Sequence, residues 1–303
     1  MSEDGLDFQG GFVMKYIVTG GCGFIGSNIV RRLARDGNEV IVIDDLSTGS
    51  LSNLPGKFTV LRKISEIKKV EDADGIFHLG IPSSTPLYRN DRSLVGKAIS
   101  EFIEIMEHAK GNRIKVVYAS SSSVYNGNRV PYKEDMPVLV TDFYTEARYS
   151  MERLARLYHD FYGVGSIGLR LFSVYGENEK TKGTFANLVS QIIWAKESGS
   201  TFDVYNNGEA TRDFTHVSDV VEAFVRSMNS DLDCDVINIG TGKSCTINQV
   251  IKAVGLKNYR YVGNPLKNYV DKTLADTRKA EKLLGFEPKV EVMEYLKKFG
   301  SDA

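Results

Sequence analysis

Residues 16 to 26 read Tyr16-Ile17-Val18-Thr19-Gly20-Gly21-Cys22-Gly23-Phe24-Ile25-Gly26. This stretch passes from an apolar strand through closely spaced glycines into a helix. Because glycine has no Cβ atom, Gly20 and Gly23 allow a tight turn and a close approach to a pyrophosphate. Gly26 lets the helix pack on the sheet with its positive N-terminal end towards the phosphates. The stretch therefore predicts a dinucleotide-binding turn, and the alternative is a glycine-rich turn that binds nothing.

A second predicted strand ends in two acids. Residues 39–43 are almost continuously apolar, as in a parallel strand covered on both faces, and Asp44 and Asp45 follow them. A carboxylate about 20 residues beyond the glycines accepts hydrogen bonds from ribose hydroxyls and repels a 2′-phosphate, so Asp44 predicts NAD rather than NADP. The alternative is that Asp44 only caps the turn over residues 46–49.

Strands and helices alternate as far as residue 173. This order predicts an α/β fold, a Rossmann-type doubly wound parallel sheet over residues 14–173, after an N-terminal extension at 1–13. Residues 174–303 are predicted to form a smaller mixed α/β substrate-binding domain, with some chain exchange between the two. The predicted strands are 39–43, 58–61, 75–79, 115–119, 166–172, 202–205 and 237–240, and the predicted helices are 27–36, 94–108, 144–162, 184–196, 218–228, 246–254, 277–284 and 292–299.

Composition favours small-molecule chemistry. The 303 residues carry a formal net charge of −1, which gives no general electrostatic reason to expect nucleic acid or an acidic membrane as a partner. The three cysteines and four histidines have no metal-ligand spacing, so we expect no metal site, and an odd cysteine count suits a reducing compartment. Without a membrane-spanning apolar run or a signal pattern, the protein is expected to be cytoplasmic.

A tyrosine and an arginine stand four residues apart on the last predicted helix of the first half. Tyr144 and Arg148 would share a helix face, with Cβ atoms roughly 5–6 Å apart. A phenol needs a nearby cation to act as a base near neutral pH, because the cation favours the phenolate. Ser121, at the end of a neighbouring strand, can hydrogen-bond the same substrate oxygen, so the three residues suggest hydride transfer from an alcohol carbon. An ordinary helix pair has the same spacing, as do Tyr149 and Arg153, so the spacing does not choose between the two pairs.

Several further motifs follow one another along the chain. They are Thr19 to Gly26, Val42 to Gly49, His78-Leu79-Gly80, Ser120-Ser121-Ser122-Ser123-Val124-Tyr125, Tyr144 with Glu152 eight residues later, Leu169 to Gly176, Arg212 to Asp219 and Ala275 to Ala280. In this order they resemble the extended short-chain dehydrogenases/reductases, specifically the NAD-dependent nucleotide-sugar epimerase/dehydratase family, over residues 14–300. The resemblance selects Tyr144 rather than Tyr149.

The resemblance implies a catalytic group and a cofactor, NAD. Tyr144 would be the general acid/base, and Ser121 would orient the substrate hydroxyl. Arg148 stands where the family has a lysine that holds the nicotinamide ribose; arginine keeps the charge but is larger and planar. The implied cofactor-binding residues are Gly20, Gly23, Phe24, Ile25, Gly26, Asp44, Asp45, Leu46, Thr48, Gly49, Leu79, Gly80, Ile81, Tyr144, Arg148 and Phe172.

The resemblance also implies a nucleotide diphosphate sugar as substrate. Ser122 and Ser123 stand where dehydratases carry an Asp-Glu pair for the elimination of water, so a C4 epimerase acting on UDP-glucose and UDP-galactose is preferred. The alternatives are another nucleotide-sugar enzyme (6-epimerase, reductase or decarboxylase) and a non-catalytic NAD-binding or nucleotide-sugar-binding protein. No clear counterpart of the family's second basic diphosphate ligand appears near residues 266–267. The implied substrate-binding residues are Ser121, Ser122, Ser173, Asn187 and Arg212.

A homodimer is the last expectation from the resemblance. The predicted helices 94–108 and 144–162 would pair with their symmetry mates in a four-helix interface. The second helix carries more aromatic residues than one buried face needs, which favours such an interface: Tyr149, Tyr158, Phe161 and Tyr162. The alternative is that all four pack within one subunit.

Overall fold

The computed structural model describes residues 13–264 and 269–300. The strands are β1 (Lys15–Thr19), β2 (Glu39–Ile43), β3 (Thr59–Leu61), β4 (Gly75–His78), β5 (Lys115–Ser121), β6 (Ser166–Leu171), β7 (Val174–Tyr175), β8 (Phe202–Tyr205), β9 (Thr211–Arg212), β10 (Thr215–His216), β11 (Cys234–Ile239), β12 (Cys245–Thr246) and β13 (Tyr259–Val262). The α-helices are α1 (Phe24–Arg35), α2 (Thr85–Asn90), α3 (Ser93–Asn112), α4 (Phe143–Tyr162), α5 (Leu188–Ser198), α6 (Val217–Met228), α7 (Ile247–Val254), α8 (Arg278–Leu284) and α9 (Val292–Gly300).

Seven strands form one sheet in the order β11-β6-β5-β4-β1-β2-β3, and every neighbouring pair is parallel. Side chains alternate between its faces, as the two-residue period of a strand requires. Val18 on β1 faces a core shared with α1, α6 and α8, while its neighbour Ile17 faces a second core shared with α3 and α4. The predicted doubly wound α/β fold is therefore confirmed.

Helix α4 carries Tyr144 and Arg148, and both of its ends follow from the sequence. It begins where the Asp142 carboxylate accepts a hydrogen bond from the Thr145 backbone N–H (2.8 Å), an N-cap contact. It ends at Gly163, whose φ of 68° is in the left-handed region that glycine tolerates. The observed helix is one residue longer than the predicted one.

The smaller part of the structure packs α5, α7 and α9 around β8. The helix predicted at 184–196 begins later than expected: a 3₁₀ turn covers Lys180–Phe185, and α5 starts only at Leu188. The reason is Asn187, whose extended backbone and side-chain oxygen cap α5 by accepting the Val189 N–H (2.9 Å).

Some segments beyond residue 173 belong to the large sheet. Strand β11 pairs with β6, and α6 and α8 pack on the same face as α1. Hydrogen bonds also join the two parts: Asn28 on α1 donates to the Glu177 carbonyl (3.0 Å), and Asn178 donates to the Ser27 hydroxyl (3.1 Å). The start of α1 is thereby tied to the segment that follows β7. Within residues 13–264 and 269–300, no helix is both long enough and apolar enough to cross a bilayer.

Candidate active site

A cleft of about 1270 Å³ lies at the carboxyl ends of the parallel strands, facing the smaller part. Parallel sheets place ligand sites at this edge, because the loops that follow several strands converge there. Of the residues expected from the sequence, the cleft is lined by Gly20, Gly23, Phe24, Ile25, Gly26, Asp44, Asp45, Thr48, Leu79, Gly80, Ile81, Ser121, Ser122, Tyr144, Arg148, Ser173, Asn187 and Arg212.

The glycine turn has the tight geometry that its sequence predicts. Gly20 has a φ of 66°, and a Cβ atom there would lie 2.7 Å from the backbone nitrogen of Gly80. A Cβ atom on Gly26 would lie 2.0 Å from the Gly20 carbonyl oxygen, so neither position accepts a side chain. Gly23 caps α1 without a side-chain hydrogen bond, which leaves the first helical N–H groups directed at the cleft for an anion.

Asp44 lies buried at the end of β2. One carboxylate oxygen accepts the Cys22 backbone N–H and the other accepts that of Leu46, each at 2.8 Å. Burial raises the pKa of this carboxyl, and the two backbone hydrogen bonds oppose that shift. Each carboxylate oxygen keeps acceptor capacity for a ribose hydroxyl. Asp44 therefore binds the glycine turn through Cys22 as well as the 46–49 loop through Leu46, and it lines the cleft.

Asp45 is held across the cleft by contacts that the sequence analysis did not anticipate. Lys97 on α3 forms an ion pair with its carboxylate (3.2 Å), and Arg62 donates to its backbone carbonyl (3.0 Å). All three residues line the cleft. Lys97 is 52 residues from Asp45, and no local motif marks the contact, because it depends on how α3 packs on the sheet.

Tyr144 and Arg148 share the cleft-facing side of α4. The Arg148 guanidinium carbon lies 4.9 Å from the centre of the Tyr144 ring, in a cation–π arrangement. Arg148 is 3% exposed, and it donates to the carbonyls of Ala119 (2.9 Å) and Pro82 (3.2 Å). Two of the five guanidinium N–H groups are used in this way, and the Nε–H is buried without a partner among the described residues, which leaves two N–H groups for other acceptors. Contacts within the protein therefore fix the cation against the phenol.

Tyr149 and Arg153 have the same helical spacing but another environment. The guanidinium carbon of Arg153 is 5.2 Å from the Tyr149 ring centre, and its side chain is 57% exposed, beside Glu146. Neither residue lines the cleft. The structure thus distinguishes two pairs that spacing alone does not.

Glu152 explains why Tyr144 reaches the cleft. Its carboxylate accepts two hydrogen bonds from Arg170 on β6 (2.9 and 2.7 Å) and one from the Ser120 hydroxyl on β5 (2.5 Å). This buried network holds α4 against the sheet. Because Tyr144 is eight residues earlier on the same helix, it lies two turns away, at the carboxyl edge of the sheet.

The serine run at the end of β5 contains a hydroxyl group that can donate a hydrogen bond to a ligand. The Ser121 hydroxyl oxygen accepts the Ser123 backbone N–H (3.1 Å) at the start of a 3₁₀ turn, Ser122–Tyr125. Since that contact uses an oxygen lone pair, the Ser121 hydrogen remains available to a substrate oxygen. Ser121 and Tyr144 line the same cleft, as the sequence analysis predicts.

His78 lies beneath the cleft as a neutral group. The Thr19 hydroxyl oxygen accepts the N–H groups of Leu79 (3.1 Å) and Gly80 (3.0 Å), so its hydrogen points to His78 Nδ1 (2.8 Å). This assigns the ring proton to Nε2. Burial, assisted by the charge of Arg148, lowers the pKa of His78 to about 3.

On the opposite wall, Asn187 and Arg212 are held by their neighbours. Glu179 is buried, and its carboxylate accepts the Asn187 backbone N–H (2.7 Å) and binds Lys182 (3.4 Å). Arg212 lies 5.1 Å from the Tyr269 ring centre and donates to the Thr211 carbonyl (2.9 Å). Burial lowers the pKa of Arg212. Glu179 was missed by the sequence analysis, since an isolated acid in a loop gives no signal of burial.

Three expected cofactor residues do not line the cleft. Phe172 is fully buried and packs on Tyr125 and Tyr132. Leu46 packs against the core on the α1 face of the sheet. A Cβ atom on Gly49 would lie 2.8 Å from the Cys22 carbonyl carbon, so Gly49 allows its loop to pack closely on the glycine turn. Residues 266–267 lie outside the described residues.

Comparison with known proteins decides the family. A model of the NAD dependent epimerase/dehydratase family matches residues 16–240, well over half of the chain. The chain belongs to this family. The resemblance drawn from the ordered motifs is thereby confirmed.

Relatives of this epimerase/dehydratase family member differ in their reactions. A putative UDP-glucose 4-epimerase of Methanocaldococcus jannaschii is 30% identical and covers 93% of this chain and 96% of its own. UDP-glucuronic acid decarboxylase 5 of Arabidopsis thaliana is 30% identical and covers 93% and 87%. The structure of a UDP-N-acetylglucosamine 4-epimerase from Methanobrevibacter ruminantium M1, in complex with UDP-N-acetylmuramic acid, has a TM-score of 0.89 and 30% identity and covers 95% and 97%.

The cofactor of the family is NAD, and the residues present fit it. The crowded Gly20 and Gly26 positions bring the uncapped start of α1 to the cleft, where a pyrophosphate requires donors. Asp44 presents the acceptors that two ribose hydroxyls need. The family match confirms the predicted cofactor.

Proposed function

We propose that this protein is an NAD-dependent epimerase that inverts C4 of a nucleotide diphosphate hexose, with UDP-glucose and UDP-galactose as the leading substrates. One observation carries the proposal. The guanidinium of Arg148 is fixed against the ring of Tyr144, in the same cleft as Ser121 and the glycine turn. An immobilised cation beside a phenol favours the phenolate, which can remove a proton from a sugar hydroxyl.

Each residue has a stated task in this reaction. Ser121 donates a hydrogen bond to the C4 oxygen, and Tyr144 removes the C4 hydroxyl proton. Bound NAD supplies the hydride acceptor, which also returns the hydride. The 4-keto sugar turns over between the two transfers, and Tyr144 gives its proton back to the oxygen on the second pass. Arg148 stays beside the Tyr144 ring throughout the cycle, since the carbonyls of Ala119 and Pro82 hold it in place.

The opposite wall is proposed to bind the nucleotide diphosphate. Arg212 has a planar fork suited to phosphate oxygens, and its stacking on Tyr269 limits the orientations it can adopt. Asn187 uses its side-chain oxygen to cap α5, so its amide nitrogen remains for an acceptor in the cleft.

The reaction type is argued from Ser122 and Ser123. Elimination of water from the sugar needs an additional acid and base, and hydroxyl groups at these positions are poor substitutes for carboxylates. A second candidate is a 6-epimerase, since the segment from Lys182 to Ala186 resembles the corresponding segment of nucleotide-heptose 6-epimerases. Lys182 lines the cleft, 5.6 Å from the ring centre of Phe24.

The test is a substrate panel with the full-length protein and NAD. UDP-galactose, UDP-glucose, UDP-N-acetylglucosamine, UDP-glucuronate and ADP-heptose are incubated separately, and products are identified by proton NMR. We expect interconversion of C4 epimers for at least one UDP-hexose and none with Tyr144→Phe. Conversion of ADP-heptose alone would favour the 6-epimerase. Absence of any conversion, despite tight NAD binding, would favour a non-catalytic binding protein.

We also propose that the active form is a homodimer. Apolar side chains lie exposed on α3 and α4: Ile103, Leu157, Phe161 and Tyr162, with exposed fractions of 37%, 49%, 74% and 60%. Tyr158, by contrast, is buried within the subunit. Pairing of these helices with those of a second copy would remove the exposed apolar surface from water.

A further inference from the structure

Tyr88 on the short helix α2 packs directly against Tyr144. The two rings are arranged edge to face, with centroids 5.7 Å apart and planes at 67°. Tyr88 is fully buried, in the core shared with α3 and α4. The ring of Tyr144 therefore contacts both the Tyr88 ring and the Arg148 guanidinium.

One segment of chain holds both members of the pair. Between β4 and α3, the Pro82 carbonyl accepts a hydrogen bond from Arg148 (3.2 Å), and six residues later Tyr88 contacts Tyr144. Six residues of α2 form too short a helix to be stable by themselves. The position of α2 is accordingly set by packing against its neighbours, and Tyr88 is its one buried residue.

The Tyr88 hydroxyl is not needed for this packing. It is buried and has no hydrogen-bond partner among the described residues. Burial raises the pKa of Tyr88 to about 12, with the charge of Arg148 acting against the shift and the nearby Tyr144 and Glu101 acting with it. The hydroxyl is thus neutral at physiological pH, and the ring and the hydroxyl can be removed separately by mutation.

We propose that Tyr88 is a positioning residue: its ring keeps the Tyr144 phenol against the Arg148 guanidinium, with the phenolic oxygen facing the cleft. The inference rests on the proposed function, because it takes Tyr144 as the acid/base. Loss of the ring would free Tyr144 to rotate away from the cation. Proton transfer is sensitive to such displacements, since an error of about 1 Å in placement costs about 100-fold in rate.

The test compares three variants of the full-length protein with NAD bound. Tyr88→Leu removes the ring, Tyr88→Phe removes only the hydroxyl, and Phe102→Leu removes a buried ring from the same core without touching Tyr144. With a substrate that the protein converts, we expect Tyr88→Leu to lower kcat about tenfold or more. Its KM should stay near that of the wild type, because the variant changes the placement of the acid/base and not the nucleotide-binding wall. Tyr88→Phe keeps the ring against Tyr144, and Phe102 does not contact Tyr144, so both control variants should leave kcat within about twofold.

Equal values of kcat in Tyr88→Leu and Phe102→Leu would overturn the proposal. If Tyr88→Leu does not fold, Tyr88→Met takes its place, because methionine fills irregular apolar space without an aromatic ring. The same outcomes are expected of it.

A second readout needs no substrate. Crystal structures of the wild type and of each variant with NAD bound give the distance from the Arg148 guanidinium carbon to the centre of the Tyr144 ring. We expect this distance to stay near 4.9 Å in Phe102→Leu and to lengthen in Tyr88→Leu. An unchanged distance in Tyr88→Leu would contradict the positioning role even if no nucleotide sugar were converted, so failure of the inference and failure of the proposed function remain distinguishable.

Discussion

Helix α4 carries two tyrosine–arginine pairs, offset from each other by five residues, and only one of them lies in the cleft. Arg148 is buried and bonded to two backbone carbonyls, whereas Arg153 is largely exposed and its neighbour is Glu146. Both guanidinium groups lie close to their tyrosine rings, at 4.9 and 5.2 Å. The comparison shows that the cation–π contact does not define the site. Burial and the fixed orientation of the cation do, because an exposed charge is screened and mobile.

The largest expected effect separates the two tyrosines. Tyr144→Phe should lower kcat by about 10³-fold, since it removes the proposed acid/base, and groups of that kind contribute about 10² to 10⁴. Tyr149→Phe should leave kcat within about threefold, because Tyr149 does not line the cleft. Both are measured on the substrate found in the panel. Equal losses in the two variants would remove the distinction between the pairs.

Substitution of the two arginines should give a smaller difference in kcat than substitution of the two tyrosines. Arg148→Met should lower kcat by about 10- to 100-fold, because it removes the buried cation and leaves the Ala119 and Pro82 carbonyls without their donor. Arg148→Lys retains the charge and should lose less than Arg148→Met. Arg153→Met is the matched control, and its exposed ion pair contributes at most about 1 kcal/mol to stability. Steady-state kinetics and circular dichroism of the three variants check this; full activity of Arg148→Met would show that the cation is dispensable.

The outer end of α4 tests the proposed interface. Phe161→Glu should raise the dissociation constant of the dimer by about tenfold or more, because a charge would replace a large apolar side chain at the contact. Leu51→Glu changes an exposed apolar residue away from α3 and α4 and should have no such effect. Sedimentation velocity over a concentration series measures both. A wild-type protein that is monomeric at every concentration would contradict the proposal.

The smallest effect concerns His78 beneath the cleft. Because its pKa in the folded state is about 3, below the unfolded value of about 6.5, acidification protonates the unfolded chain first and stability falls as the pH falls. Between pH 7 and pH 6 the contribution of His78 should fall by about 0.7 kcal/mol. His78→Asn keeps an acceptor for Thr19 and should lose that part of the pH dependence. Urea denaturation of both proteins at the two pH values measures the free energy of unfolding. An equal decrease in the two proteins between pH 7 and pH 6 would show that burial does not keep His78 neutral.

Much of this arrangement was predictable from the sequence, because its causes are local. The glycines of the first turn, the apolar run of β2 and the periodicity of α4 each act within a few residues. The late start of α5 was missed because the capping preference of Asn187 outweighed the apolar pattern that precedes it. Lys97 at Asp45 and Tyr88 at Tyr144 were also missed, since packing between separate helices creates those contacts.

The sequence by itself determined the parallel α/β fold and the glycine turn, because strand and helix periods and glycine sterics are properties of neighbouring residues. The order of its motifs also selected Tyr144, but only the tertiary structure decided what restrains that side chain. The Glu152–Arg170 pair holds α4 on the sheet, the Ala119 and Pro82 carbonyls fix Arg148, and Tyr88 packs against the Tyr144 ring. These contacts join residues that are distant in the chain, so they exist only once the helices have packed on the sheet.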